Sequence, residues 1–147
     1  MANVCVITGG GSGMGLAAAK FMPKDKIIVI SGRTLSKLEG AVAELKKLGY
    51  DAHAKTCDTS SRESVKELVD FASSLGEVKN VINSAGVSPA MKGTQESIIR
   101  INALGTVYIN QEFSKVMKPG SVIVDVSSNS AYILPSFSRA SNKITTS

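Results

Sequence analysis

Apolar residues fall along this chain in two rhythms. Short unbroken runs occur at Val4 to Thr8 (VCVIT), Lys26 to Ser31 (KIIVIS), Asn80 to Gly86 (NVINSAG) and Ser121 to Val126 (SVIVDV). Runs of this length, rich in β-branched residues and closed by turn formers, read as strands buried on both faces. Between them the spacing changes to i, i+3, i+4. Leu38, Ala41, Val42, Leu45 and Leu48 predict a helix that Thr34 can cap and Gly49 stops. Val65, Leu68, Val69 and Ala72 predict another, capped by Ser60 or Ser61 and running to about Leu75. Gly13 to Met22 reads as a short helix ended by Pro23. A long helix is expected from about Thr94 to Met117. Its apolar residues, among them Ile98, Ile101, Leu104, Val107, Ile109, Phe113 and Val116, lie on most sides, so it expects cover on more than one face. A third strand lies within Asp51 to Asp58 (DAHAKTCD); it is less apolar and so belongs near a sheet edge.

Five strands alternating with helices predict an α/β fold with a parallel sheet and helices on both faces. Right-handed crossovers narrow this to a doubly wound sheet; a Rossmann-type sheet with strand order 3-2-1-4-5 is expected. The length of 147 residues suits one domain, 1–147, with a loosely ordered tail from about 134.

Composition changes little in this picture. Hydrophobic residues at 43% and charged residues at 20% are ordinary for a globular domain. No apolar run is long enough to span a membrane, and the N-terminus MANVCVITGG does not read as a signal peptide, so the cytoplasm is the expected location. Cys5 and Cys57 form no metal or redox spacing; reduced thiols are expected, and no metal site. The net charge of +5 suits an anionic ligand, but the lysines are scattered at helix-surface spacings without interleaved aromatics. Nucleic acid is therefore not an expected partner.

The candidate chemistry begins where the first strand turns into the first helix. There TGGGSGMG, Thr8 to Gly15, places glycines at a helix N-terminus. Unpaired N–H groups and the helix dipole favour phosphate at such a point. Gly9 permits the tight turn, Gly13 lets a pyrophosphate approach the backbone, and Gly15 lets helix and strand pack closely. A methyltransferase loop is a rival, but it more often carries an acid before the first glycine, where Thr8 stands.

The spacing T-G-x-x-x-G-x-G resembles the nucleotide loop of the short-chain dehydrogenase/reductase family. Further motifs follow in the family's order: Asp58 in TCDTS, NSAG (Asn83 to Gly86) in place of N-N-A-G, INALGT (Ile101 to Thr106), and VDVSS ending at Ser128. The resemblance covers about residues 3 to 130. It implies hydride transfer between a nicotinamide dinucleotide and a small alcohol or carbonyl substrate. It assigns Thr8, Gly9, Ser12, Gly13, Met14, Gly15, Arg33, Asp58, Thr59, Asn83, Ala85 and Gly86 to cofactor binding. It assigns Asn102 to a proton relay and Ser128 to the substrate oxygen. In the family the long helix packs against a partner subunit, so a homo-oligomer is expected.

SGRTLSK, Ser31 to Lys37, closes the second strand with Gly32 and Arg33 and no acid. An acid here would bond the adenosine ribose and favour NAD; an Arg accommodates a 2′-phosphate, so NADP is expected, with NAD as the alternative. The family's catalytic Tyr with a Lys four residues later has no counterpart: Ala54, Glu112 and Ser136 follow Tyr50, Tyr108 and Tyr132 at that spacing, and Arg139 precedes Lys143. The family's further strands are missing as well. The expectation is therefore an incomplete dinucleotide-binding domain: a fragment, a truncated frame or a short natural form. The alternative is a non-catalytic NADP(H)-binding module or redox sensor.

Overall fold

The computed structural model describes residues 1–87 and 94–128. Five strands form one parallel sheet in the order β3-β2-β1-β4-β5: β1 Asn3–Thr8, β2 Ile27–Gly32, β3 Asp51–Thr56, β4 Glu77–Asn83 and β5 Val122–Asp125. The predicted order holds, and β3 lies at an edge as its polarity implied. β4 begins and ends three residues earlier than expected, so NSAG is the turn that leaves the strand rather than part of it. The expected tail from 134 lies outside the described residues, as do Tyr132 and Lys143.

The helices are α1 Gly13–Lys20, α2 Leu35–Lys47 and α3 Arg62–Leu75, followed by α4 Gln95–Ile99 and α5 Gly105–Ser114. Periodicity placed α2 and α3 well. The Ser61 hydroxyl accepts from Ser64 N at 3.3 Å and caps α3, whereas Thr34 precedes α2 without a side-chain cap bond. The long helix expected from Thr94 to Met117 differs from a plain α-helix. Between α4 and α5 the backbone stays helical but opens into a π-helical turn, Arg100–Leu104. Such single turns of wider winding are common at functional sites.

The sheet separates two cores. On one face Val4, Val6, Val29 and Val81 pack under α3 and α5, through Val65, Leu68, Ile109 and Phe113. On the other, Cys5, Ile7, Ile28 and Ile30 pack under α1 and α2, through Ala19, Leu38, Ala41 and Leu45. β1 and the apolar centre of β2 are buried from both sides, which explains their unbroken apolar runs. β5 is different: Val122 and Val124 are 50% and 48% exposed. No helix among the described residues is long and apolar enough to cross a membrane.

Candidate functional site

All five strands are parallel, so their C-terminal ends share one edge of the sheet. The strand order reverses between β1 and β4, and the crevice outside such a reversal is where doubly wound sheets bind ligands. An open cleft lies there, lined by residues at or just after the ends of β1, β2, β3 and β4.

The glycine loop forms one wall. Gly9 and Gly13 have φ of +65° and +56°, a region that L side chains rarely adopt. A Cβ on Gly13 would meet nothing within 4 Å, so its backbone is open to a ligand. A Cβ on Gly15 would lie 2.3 Å from the Gly9 carbonyl oxygen and 2.7 Å from Ser84 Oγ, which makes the contact of helix with strand end possible only for glycine. Ser12 precedes α1 with extended backbone and no capping bond, and the first turn holds no acid. The N-terminus of α1 is thus left to attract an anion.

Thr8 and Asn83, both buried, tie this loop to the end of β4. Thr8 Oγ1 donates to Asn83 Oδ1 at 2.6 Å and accepts from Ala85 N at 3.2 Å. Ser84, which stands where the family has Asn, donates its hydroxyl to Thr8 O at 2.6 Å. Thr8, Gly9, Ser12, Arg33, Thr59, Ala85 and Gly86 all line the cleft. Asn83 does not; its amide is spent inside the fold, donating to Asp125 Oδ1 at 3.0 Å. Gly13, Met14 and Gly15 lie on the loop and the first turn rather than among the lining residues.

The opposite wall comes from the end of β2. Arg33, Thr34 and Lys37 line the cleft, and among the described residues no carboxylate does. Among the described residues neither Arg33 nor Lys37 is held in an ion pair. Asp58 faces an adjoining cleft that shares Arg33 and Cys57. Its Oδ1 accepts from Ser60 N at 3.0 Å and Ser60 Oγ at 2.6 Å, a turn that fixes the carboxylate. Burial pushes the Cys57 thiol up to about 11 and the Cys5 thiol to about 12, so both stay protonated and unreactive at neutral pH.

Asn102 sits in the π-helical turn. Its side chain clamps the Val87 backbone, accepting from Val87 N and donating to Val87 O, both at 2.9 Å. It therefore holds the loop that leaves β4 against the long helix. Ser128 is exposed, three residues beyond the end of β5 and on the same edge of the sheet. Sequence reasoning missed Thr34, Lys37, Val87 and Ile101 as lining residues and Asp125 as the partner of Asn83. Only Lys37 carried a signal, as a cation four residues beyond Arg33 in the first turn of α2.

The profile of the short chain dehydrogenases matches residues 3–139. A short-chain dehydrogenase/reductase of Alternaria brassicicola, bsc3, is 33% identical over 132 residues, 90% of this chain and 47% of that protein. Tropinone reductase-like 3 of Erythroxylum coca is 28% identical, over 90% of this chain and 55% of its own length. The citronellol catabolism dehydrogenase of Pseudomonas aeruginosa superposes with a TM-score of 0.76 at 29% identity, covering 87% of this chain and 56% of that one. The chain spans about half the length of the curated relatives it matches. With its sheet order, its glycine loop and this match over nearly all its residues, the chain belongs to the short-chain dehydrogenase/reductase family.

Proposed function

We propose that this chain is the dinucleotide-binding part of an NADP(H)-dependent oxidoreductase that interconverts an alcohol and a carbonyl compound. The observation that carries the reading is the charge of the cleft: an uncapped helix N-terminus on one wall, Arg33 and Lys37 on the other, and no carboxylate among the described residues that line it. The glycine loop from Gly9 to Gly13 would hold the pyrophosphate, and Arg33 with Lys37 a 2′-phosphate. Thr59, Ala85 and Gly86 would border the adenosine, with Asp58 beside the adenine. The nicotinamide, when bound, supplies or accepts the hydride. Asn102 holds the wall of the cleft in register, and Ser128 would bond the substrate oxygen. Assembly into homo-oligomers and a cytoplasmic location are part of the same proposal.

No Tyr in the 147 residues has a Lys four positions later, and this favours a second reading for the chain as it stands: nucleotide binding without turnover. A positioned general acid typically contributes about 10²–10⁴ in rate. Calorimetry with NADPH and NADH tests the first reading. NADPH should bind roughly tenfold more tightly, as a charge-assisted hydrogen bond implies, and Arg33→Ala should remove most of the difference. Equal affinities in the unmodified chain would refute the NADP assignment. NADPH oxidation across a panel of ketones and aldehydes tests the second, for which no turnover is expected.

A further inference from the structure

Asp125 stands inside the VDVSS stretch without a role of its own in it, yet its carboxylate is the terminus of a hydrogen-bond relay that ends at the cleft wall. It accepts from Asn83 Nδ2 at 3.0 Å and from Asn110 Nδ2 at 2.9 and 3.1 Å. Asn83 Oδ1 accepts from the Thr8 hydroxyl at 2.6 Å, and Thr8 Oγ1 accepts from Ala85 N at 3.2 Å. Thr106 joins from α5: its Oγ1 accepts from Asn83 Nδ2 at 3.4 Å and donates to Asn102 O at 2.8 Å.

We propose that Asp125 is a positioning residue that sets the polarity of this relay and so fixes the Ala85–Val87 wall of the nucleotide cleft. The argument lies in donor and acceptor chemistry. An ionised carboxylate only accepts, so Asn83 must turn its NH2 toward Asp125 and its carbonyl toward Thr8. The Thr8 proton is then committed to Asn83, and the Thr8 lone pairs face the Ala85 N–H. With Asn83 reversed, the fully buried Thr8 hydroxyl would have to accept from both sides, and its own proton would lose its acceptor. Because Asp125 ends β5, the same carboxylate also registers the strand that leads to Ser128 against the nucleotide wall.

An Asn at position 125 sets a donor against a donor in either orientation. With its carbonyl at the Oδ1 position it still accepts from Asn83 and Asn110, but its NH2 replaces the Oδ2 that Asn110 Nδ2 meets at 2.9 Å; reversed, its NH2 meets the NH2 of Asn83. Asp125→Glu keeps an acceptor-only group. Asn110→Ala removes one donor to the carboxylate and leaves the Asn83 bond in place. These three variants separate polarity from general sheet stability.

The inference rests on the dinucleotide reading, and the experiment reads the two separately. Amide hydrogen exchange of Ala85 is measured on labelled protein against the Tyr50 amide, which bonds Leu45 O in the distant α2–β3 turn. NADPH affinity is measured on the same samples. In Asp125→Asn, Ala85 exchange should rise about tenfold relative to Tyr50, and NADPH affinity should fall about fivefold, the low end expected for an unsatisfied buried polar group. Asp125→Glu and Asn110→Ala should keep Ala85 protected. Equal acceleration of Ala85 and Tyr50 in Asp125→Asn would overturn the proposal, as would an Asn110→Ala variant that behaves like Asp125→Asn. A selective change at Ala85 with unchanged NADPH affinity would overturn the positioning role. A selective change in a chain that binds neither NADPH nor NADH would support the relay and refute the dinucleotide reading. Should Asp125→Asn fail to fold, Asp125→Glu still decides: loss of Ala85 protection there counts against the proposal.

Discussion

At the scale of single residues, glycines with similar sequence surroundings carry different physical loads. Gly15 is buried against backbone, so Gly15→Ala forces a 2.3 Å contact with Gly9 O and should cost about 1–3 kcal/mol through overpacking. Gly13 has space but a left-handed backbone, so Gly13→Ala should cost about 1–2 kcal/mol by strain alone. Gly40 lies inside α2, exposed, with nothing within 4 Å of an added Cβ and no positive φ. Gly40→Ala should therefore gain about 1 kcal/mol by helix propensity. Urea midpoints of the three variants, with slopes unchanged, check both signs and the order.

At the scale of elements, α3 and α5 are joined by a carboxylate that is nearly inaccessible. Glu112 is 4% exposed; its Oε1 accepts from Arg62 at 2.8 Å and its Oε2 from Lys115 at 2.9 Å. The Arg62 guanidinium also stands over the Tyr108 ring, 4.7 Å from its centre. Lys115 first, and Arg62 with it, hold the Glu112 carboxyl below its ordinary value of 4.5. A depressed carboxyl stabilises the fold fully above that ordinary value, and the contribution is lost as pH falls through the folded value. The urea midpoint should therefore drop on acidification below about 4.5, and Glu112→Gln should flatten that limb while lowering stability at neutral pH. Some acid sensitivity should remain in the variant, since Lys79 and Lys118 lower Glu77 in the same way.

At the scale of the whole molecule, the two sides of the sheet are unequally finished. β1 and the centre of β2 are covered on both faces, but among the described residues β5 is an edge strand, with Val122 and Val124 at 50% and 48% exposure and Val126 just beyond it at 42%. The long helix adds Ile99 at 61% and Val107 at 43%. Exposed β-branched residues on an edge that no described strand pairs invite association. Light scattering should therefore show concentration-dependent assembly, and Val124→Lys should shift the population toward monomer. A sharp monomer peak in the unmodified chain would count against this, and with it against the proposed homo-oligomer.

The sequence by itself determined the fold class and the loop at which the cleft forms. These depend on local signals that tertiary contacts reinforce: unbroken apolar runs for β1 and β2, a 3.6-residue period in α2 and α3, and glycines between Thr8 and Gly15. It did not place the end of β4: Asn83 to Gly86 is small and polar, and it leaves the strand because its hydrogen bonds turn toward Thr8. The π-helical turn was hidden for a similar reason. The motif singled out Asn102, but nothing local shows that Val87, 15 positions away, takes both ends of its amide. Lys37 read as one of many surface lysines, and only the packing of α2 beside the glycine loop turns it toward the cleft. Asp125 likewise had no partner in the sequence; Asn83 and Asn110 reach it from β4 and α5. Periodicity is written locally, whereas a hydrogen-bond partner far along the chain is chosen only when strands and helices meet.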